Sequence, residues 1–380
     1  MEITKDKKLQ PILEAYGIPW IEARFTPFGN GHINETYLVK WPGKGEEQAL
    51  IFQRINSYVF KEPWKVMENI RGVTSHLREK IQQSGGDVFR ETLQLVSRPD
   101  GQDYYQDGDG EYWRAYHYID NGEAFEVARG PEDLYQAGLV FGRFQRHLDD
   151  YPMNTLWDTI PDFHNTRVRL KTFHQAVENN RSGRRNQVEG EIHWIQSHQE
   201  EMETLVNLLE EGKLPLRVTH NDTKLNNVLM DRITGKGMCA TDLDTVMPGL
   251  SLYDFGDAIR FGTNSSTEDE SDQTKVEMRI ELYEAYCRGY LEEAGTILTP
   301  LEKELLPLGA KVITLECGMR FLMDYIDGDI YFRIHRPSQN LDRARTQFKI
   351  AKDLETRWEE LLEIHKNASG VLEKKGEDHS

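Results

Sequence analysis

The feature that most constrains the fold is a run of closely spaced polar residues within 219–245. Its first nine residues read THNDTKLNN, and its last six read ATDLDT. Between them lie two short apolar segments around a Gly-containing turn, which is the pattern of a hairpin. Asp222 and Asn227 therefore share one loop, and Asp242 follows 20 residues after Asp222 at the end of the second apolar segment. The run predicts a loop, a hairpin and a second carboxylate of the same site.

The chemistry that this set of residues supports is transfer of a phosphoryl group from ATP. The spacing of His220, Asp222 and Asn227 fits H-x-D-x-x-x-x-N and resembles the catalytic loop of protein-kinase-like phosphotransferases. We expect Asp222 to accept a hydrogen bond from the attacking hydroxyl, and Lys224 to contact the γ-phosphate. Asn227 and Asp242 would hold Mg²⁺, which binds few carboxylates together with phosphate oxygens and water.

Other interpretations of the motif stay open. In one, Asp222 and Asn227 only cap a turn. In another, the chain is a nucleotide-binding pseudokinase, although the joint presence of Asp222, Asn227 and Asp242 argues against it. Asp244 has two open roles, because its carboxylate could assist the metal or bond the backbone.

The order of predicted elements indicates a bilobal α+β protein of the kinase type. Residues 1–119 predict a small antiparallel β lobe that covers the nucleotide, with strands over 21–28, 36–41, 49–55, 92–97 and 113–119, a short helix over 3–16 and one main helix over Pro63–Gln83. Residues 120–372 predict a larger, mostly helical lobe with the catalytic loop, metal site and acceptor-binding helices. Its helices are expected near 131–149, 166–180, 188–211, 274–294, 301–327 and 341–366. We expect 373–380 to be a disordered tail.

The first lobe also offers candidate nucleotide-binding residues. Gly29 and Gly31 lie between two predicted strands, where they would let the backbone approach phosphates closely. The third predicted strand carries Gln53 and Arg54 where a protein kinase has its phosphate-binding lysine, and either could replace it. Adenine is expected against the segment around Tyr118, bonded through backbone groups.

Composition limits the partners of the chain. Its 46 basic and 64 acidic residues give a net charge of −18, which argues against a nucleic-acid-binding surface. No apolar run is long enough to predict a membrane span, and the first residues lack the apolar core of a signal peptide. The three cysteines are far apart and odd in number, as in a reduced cytoplasmic protein. We therefore expect a cytoplasmic protein with small-molecule substrates and no obligate protein partner.

Four stretches carry a more specific resemblance. They read GNGHINETYLV, LPLRVTHNDTKLNNVLMD, TDLDTVMPGLSLYDFGDAIRFG and ECGMRFLMDYIDGDIYF. With them the chain resembles the aminoglycoside-phosphotransferase branch of the kinase superfamily, which includes choline and homoserine kinases. Within that branch it is similar to the N-acetylhexosamine 1-kinases. One departure is the missing lysine of the third strand, which argues against a protein kinase.

The resemblance implies ATP- and Mg²⁺-dependent phosphorylation of the anomeric hydroxyl of N-acetylglucosamine or N-acetylgalactosamine. It implies that Asp222 is the catalytic base, and that His32, Arg320 and Tyr331 contact the sugar. We add Asn34 to the expected substrate-binding residues, because it stands where a kinase loop has its third glycine. The alternative is a kinase of the same fold for another small alcohol: an aminoglycoside, choline, homoserine or a different hexose.

Overall fold

The computed structural model describes residues 7–29, 34–43 and 45–377. Its first part is a five-stranded antiparallel sheet with strand order β1-β2-β3-β5-β4. The elements of this part are α1 (Gln10–Ala15), β1 (Arg24–Pro27), β2 (Glu35–Pro42), β3 (Glu47–Ile55), α2 (Pro63–Gln83), β4 (Tyr104–Gln106) and β5 (Tyr112–His117).

The helix α2 has the predicted bounds because its apolar residues recur every three or four positions and all become buried, namely Val66, Ile70, Val73, Leu77 and Ile81. The predicted strand over 92–97 is wrong. This segment runs beside the last residues of β5 with one isolated bridge, Leu95 to Tyr116. The rest of that edge of β5 pairs with β4, which the sequence did not predict.

The second part is mainly helical, with three short β pairings around the catalytic loop. Its elements are β6 (Gly122–Glu123), α3 (Pro131–His147), α4 (Thr166–Asn179), α5 (Glu189–Ser197), α6 (Gln199–Met202), α7 (Thr204–Glu210), β7 (Arg217–Thr219), β8 (Val228–Asp231), β9 (Gly237–Ala240), β10 (Met247–Gly249), α8 (Ser251–Gly262), α9 (Ile280–Ala294), α10 (Pro300–Asp327), α11 (Gln339–Thr356) and α12 (Trp358–Glu377). Strands β8 and β9 form the predicted hairpin, β6 pairs with β8, and β7 pairs with β10.

Two long predicted helices are divided. The chain expected as one helix over 188–211 turns at His198, whose Nε2 lies 2.7 Å from a carboxylate oxygen of Glu355 on α11, and forms α5, α6 and α7. The chain expected as one helix over 341–366 forms α11 and α12, which meet at Arg357. Helix α12 extends to Glu377, into the segment that we expected to be a disordered tail.

Helix α10 is the longest element, with 28 residues, and its start is closely defined. Thr299 caps it by accepting the Glu302 backbone N–H at 3.2 Å, while Glu302 accepts the Thr299 N–H at 2.8 Å, which is a capping box. The buried Glu302 carboxylate also accepts from Arg217 of β7 at 2.6 Å. The cap therefore ties α10 to the strand that precedes the catalytic loop.

The buried apolar residues show how the two parts join. Helix α1 and one face of the five-stranded sheet form a small core of their own. Helix α2 and Tyr116 of β5 instead share the main core with α3, α8, α9 and the β8–β9 hairpin. A third core lies among α4, α5, α10 and α11. Within the described residues, no helix is both long enough and apolar enough to cross a membrane.

Candidate active site

The loop after β7 is held by a carboxylate from the first turn of α8. Asp254 accepts the backbone N–H groups of His220 and Asn221, each at 2.7 Å. Burial raises the pKa of Asp254 to about 7, although the two N–H groups lower it. Asn221 has φ +62°, a left-handed conformation that asparagine adopts more readily than most residues. These bonds turn the chain sharply just before Asp222.

His220 fixes the other side of the loop. Its Nε2 lies 2.8 Å from the Thr241 carbonyl, and its Nδ1 lies 3.3 Å from the Asp222 backbone N. The ring therefore donates through Nε2 and accepts through Nδ1, which is the pattern of a neutral imidazole. Burial lowers the pKa of His220 and favours that neutral form. His220 thus joins the loop to the strand end that carries Asp242.

The structure brings Asp222, Lys224 and Asn227 into contact. One oxygen of Asp222 lies 2.8 Å from Lys224 Nζ, and the other accepts from Asn227 Nδ2 at 2.9 Å. Burial alone would raise the pKa of Asp222, but the ammonium group of Lys224 lowers it below its ordinary value. The carboxylate is therefore ionised while 26% of its side chain stays exposed. It can accept a hydrogen bond from an incoming hydroxyl.

Asn227 and Asp242 fit a hard cation such as Mg²⁺. The amide N of Asn227 donates to Asp222, which leaves the Asn227 amide oxygen available as a ligand. Asp242 follows β9 with φ +57°. Burial, together with the carboxylates of Asp244 and Asp222, raises the pKa of Asp242 to about 7. Three carboxylates thus lie close together here, and oxygen ligands of this kind are those that Mg²⁺ prefers.

Both carboxylate oxygens of Asp244 bond side chains of the first lobe. It is 3% exposed and forms an ion pair with Arg114 of β5. Its second oxygen accepts from Asn34 Nδ2 at 2.6 Å, and the Asn34 amide oxygen accepts the Asn56 backbone N–H at 3.1 Å. Asn34, expected to bind substrate, therefore bonds the turn that carries Asp242.

Arg114 is a buried cation of the sheet. It was not among the site residues predicted from the sequence. Its side chain is fully buried, and its Nε and Nη2 donate to Gln53 Oε1 at 3.1 and 2.9 Å. Gln53 is its cross-strand partner on β3, so both lie on the face of the sheet towards the second lobe. One signal was present in the sequence: a lone arginine inside the otherwise apolar strand YWRAYH needs a buried partner.

Arg54, the other candidate for the missing lysine, is placed elsewhere. Side chains alternate along a strand, so Arg54 lies on the opposite face from Gln53. It pairs there with Glu35 at 2.6 Å and Glu111 at 3.3 Å. The structure therefore does not bring Arg54 together with Gln53, Arg114 and the Asp242 turn.

Comparison with known proteins agrees with this fold. Residues 24–299 match the family described as the phosphotransferase enzyme family. The chain belongs to this family. Among solved structures, it resembles an aminoglycoside phosphotransferase from Alicyclobacillus acidocaldarius subsp. acidocaldarius (15% identity, TM-score 0.57, 91% of this chain and 92% of that chain). It also resembles a choline kinase from Cryptosporidium parvum (13%, 0.57, 94% and 97%) and a microcompartment-associated aminopropanol kinase (15%, 0.55, 93% and 97%). At these identities the solved structures show the fold alone.

In this phosphotransferase, Arg320 of α10 lies close to two aromatic rings. Its guanidinium carbon is 5.5 Å from the Phe163 ring centroid and 5.7 Å from that of Phe332. Arg169 donates to the Phe163 carbonyl at 3.0 and 3.2 Å, beside the same ring. In the described parts of the chain, neither arginine has a carboxylate oxygen within 4.0 Å, whereas Arg217 in the same lobe is paired. The guanidinium of Arg320 is thus available to a ligand.

His164 connects this aromatic cluster to the catalytic loop. Its Nδ1 lies 3.0 Å from the buried carboxylate of Glu316, and its Nε2 lies 3.4 Å from the Asn221 carbonyl. Glu316 stands four residues before Arg320 on α10, which is about one helical turn. Arg320 is therefore one turn away from a group that contacts the loop carrying Asp222.

The other predicted site residues of the phosphotransferase have varied placements. Tyr331 is 51% exposed, and its backbone N–H donates to the buried Asp324 at 2.7 Å. Tyr118 is half-buried in the segment between the lobes, with its ring edge-on to Phe28 at 6.0 Å. Gly29 has φ +75°, as a turn before the loop requires. Gly31 and His32 lie outside the residues that the structure describes.

Proposed function

We propose that this phosphotransferase transfers the γ-phosphoryl group of ATP to the anomeric hydroxyl of N-acetylhexosamines. The observation that carries the choice of acceptor is Arg320, whose guanidinium lies near two phenylalanine rings and lacks a carboxylate partner within 4.0 Å among the described residues. A guanidinium offers several N–H donors in one plane, and these suit the hydroxyl and acetamide oxygens of an N-acetylated sugar.

The charge of the same region argues against cationic acceptors. Aminopropanol, choline and aminoglycosides, named for the solved relatives, carry positive charge at neutral pH. Arg320 and Arg169 both contact Phe163, and their positive charges would repel such a molecule. A neutral sugar has no such penalty, and the four sequence stretches quoted above support an N-acetylhexosamine.

We assign the steps of the transfer to residues of the loop. Asp222 accepts a hydrogen bond from the C1 hydroxyl and takes its proton as the new C1–O–P bond forms and the bond to the leaving ADP breaks. Lys224 stands 2.8 Å from Asp222, where it can contact the γ-phosphate. Asn227 and Asp242 would hold Mg²⁺, whose charge, when bound, offsets that of the phosphate oxygens. Most of the catalysis is positioning and charge neutralisation.

The test is a phosphorus NMR assay with ATP, Mg²⁺ and one acceptor at a time. The panel contains N-acetylglucosamine, N-acetylgalactosamine, glucose, choline and kanamycin. We expect an anomeric phosphate signal, with matching formation of ADP, for the two N-acetylated sugars. The control variant Asp222→Asn should retain nucleotide binding and lose turnover by orders of magnitude, because only the transition-state role is removed.

Two results would contradict the proposal. A phosphate signal only with choline or kanamycin would select the kinases of other small alcohols. Near wild-type turnover by Asp222→Asn would remove Asp222 from the reaction, whichever acceptor is used.

A further inference from the structure

A buried ion pair joins the amino-terminal sheet to the turn that carries Asp242. Arg114 belongs to β5, Asn34 directly precedes β2, and Asp244 follows β9 in the second lobe. The side chain of Arg114 is fully buried and that of Asp244 is 3% exposed. Since Asp244 is two residues from Asp242, this contact lies in the same turn as the proposed metal-binding carboxylate.

The hydrogen bonds of the two aspartates differ. One oxygen of Asp244 is paired with Arg114, and the other accepts from Asn34. The carboxylate of Asp242, by contrast, accepts no hydrogen bond from any of the described residues. Asp242 therefore keeps its oxygens for a ligand, while those of Asp244 are taken by the opposite lobe.

Arg114 is itself held from two sides. Gln53 accepts two of its N–H groups, and Gln53 in turn donates to Thr36 Oγ1 at 3.1 Å. The Tyr116 ring centroid lies 5.2 Å from the guanidinium carbon. Three adjacent strands, β2, β3 and β5, thus determine where the guanidinium lies. A charge buried so completely requires a paired partner, and Asp244 is that partner.

We propose that Arg114 is a positioning residue which, through Asp244, fixes the nucleotide-covering sheet against the Asp242 turn, and that Asp244 is not a metal ligand. We call two contacts the inter-lobe tie: the ion pair of Arg114 with Asp244, and the hydrogen bond from Asn34 to Asp244. The tie couples two halves of one site: the sheet that covers the nucleotide and the turn that holds the cation. The inference rests on the proposed nucleotide and metal chemistry, and it does not depend on which acceptor is used.

The test measures binding to the protein and not its activity. Arg114→Met, Asp244→Asn and the double variant are compared with wild type by calorimetric titration of ADP with Mg²⁺. We expect each single variant to lose at least tenfold in ADP affinity. The ADP affinity of the double variant should be no lower than that of the weaker-binding single variant, because both substitutions remove the same interaction.

A second measurement separates a tie from a metal ligand. Electron paramagnetic resonance reports Mn²⁺ binding at saturating ADP. We expect Asp242→Asn to lose at least tenfold in Mn²⁺ affinity and Asp244→Asn to lose less than threefold. Equal losses in the two variants would make Asp244 a metal ligand and overturn the proposal.

The matched control is a buried ion pair that lies wholly within the second lobe. Arg217 pairs with Glu302, whose side chain is fully buried, at the start of α10. Arg217→Met should lower the melting temperature and change the ADP affinity of the folded protein less than twofold. If Arg114→Met behaves in the same way, Arg114 only stabilises the fold and the proposal is wrong.

A milder variant keeps the proposal testable if Arg114→Met does not fold. Asn34→Ala removes one bond to Asp244 and leaves the ion pair in place. We expect a threefold to tenfold loss of ADP affinity, and no loss would count against the tie. Normal ADP binding with no sugar phosphorylation would refute only the proposed acceptor, whereas a wild-type protein that binds no nucleotide would overturn both proposals.

Discussion

At the scale of single residues, the catalytic loop leaves few polar groups without a partner. Lys224 and Asn227 each bond one oxygen of Asp222, and both backbone N–H groups before it bond Asp254. The lowered pKa of Asp222 makes it a weak base in the resting protein. A group of this kind orients the hydroxyl first and takes its proton late, when bond formation makes the hydroxyl more acidic.

Arg320 offers a test of acceptor binding at this scale. We expect Arg320→Ala to raise the KM for the sugar at least tenfold and the KM for ATP less than threefold, since a charge-assisted hydrogen bond contributes about 1.5–3 kcal/mol. Steady-state kinetics with each substrate varied in turn measures both constants.

Arg343→Ala is the matched control. The guanidinium of Arg343 also lies near a ring, 5.5 Å from the centroid of Phe321, but it donates to Asn340 at 2.9 Å. The substitution Arg343→Ala should leave the KM values for the sugar and for ATP near those of wild type. An equal rise in the two KM values for Arg320→Ala would mean that Arg320 supports the fold and not the acceptor.

The site residues differ in how far the sequence predicts them. Asp222, Lys224 and Asn227 lie within six positions, so a local motif places them together. Arg114 lies 130 residues from Asp244 and meets it through strand register and the packing of two lobes, which no local pattern encodes. The choice between Gln53 and Arg54 depends on which face of β3 turns towards the cleft. That question is decided by packing and not by residue type.

At the scale of elements, helices α3 and α9 cross at unusually short range. A methyl group added at Gly138 would lie 2.5 Å from the Tyr286 carbonyl oxygen, and one added at Gly289 would overlap the Tyr135 carbonyl. The two backbones are therefore in direct contact. This contact lets α3 support the β8–β9 hairpin from behind, because Gly237 at the start of β9 packs against Gln136 and Val140 of α3.

Gly289→Ala should therefore destabilise the protein. We expect a loss of about 1–3 kcal/mol or more, because the added carbon meets rigid backbone and not a flexible side chain. Gly190→Ala in α5 is the matched control. Nothing lies within 4 Å of its added carbon, so helix propensity alone should stabilise the protein by up to about 1 kcal/mol. Urea denaturation followed by circular dichroism measures both, and equal effects would contradict the close crossing.

The contact between α9 and α12 predicts a pH dependence. His365 of α12 lies 2.6 Å from the Tyr283 hydroxyl of α9, and burial lowers its pKa to about 3. In the unfolded chain the pKa of histidine is about 6.5, so below that pH the unfolded state takes up a proton that the folded state does not. This contribution to stability is present above pH 6.5 and is lost as the pH falls.

The variant His365→Asn isolates the effect. We expect the stability difference between wild type and variant to shrink by about 1.4 kcal/mol per pH unit as the pH falls from 6.5 towards 4. Denaturation curves at pH 7, 6 and 5 provide the measurement. A difference that stays constant with pH would show that His365 is not buried in its neutral form.

Elements were predictable where one pattern repeats for long enough. The bounds of α2 follow from about four turns of apolar spacing between Val66 and Ile81, and α10 lies between its capping residue Thr299 and Gly328. Strand β4 has three residues, too few for an alternating pattern to stand out. Residues 92–97 have the composition of a strand, yet β4 takes the neighbouring part of the edge of β5.

At the scale of the whole molecule, the hydrophobic core does not divide at residue 120, where the predicted elements change from mostly strands to mostly helices. The order of strands and then helices predicts two lobes, and the family match over 24–299 agrees with that fold. However, α2 lies in the first lobe by sequence and packs its apolar face into the main core of the second. A pattern within a short stretch of the sequence cannot predict such long-range packing. The sheet is consequently supported by the large lobe from one side.

The buried position of the inter-lobe tie has a consequence for ionic strength. The chain has a net charge of −18, and salt screens interactions between exposed charges beyond a Debye length of about 8–10 Å. Added salt therefore relaxes the mutual repulsion of the exposed acidic groups and weakens the exposed ion pairs. The pair of Arg114 and Asp244 is closed to counterions, because its side chains are 0% and 3% exposed. The relative position of the two lobes is thus fixed by an ion pair that dissolved salt ions do not reach.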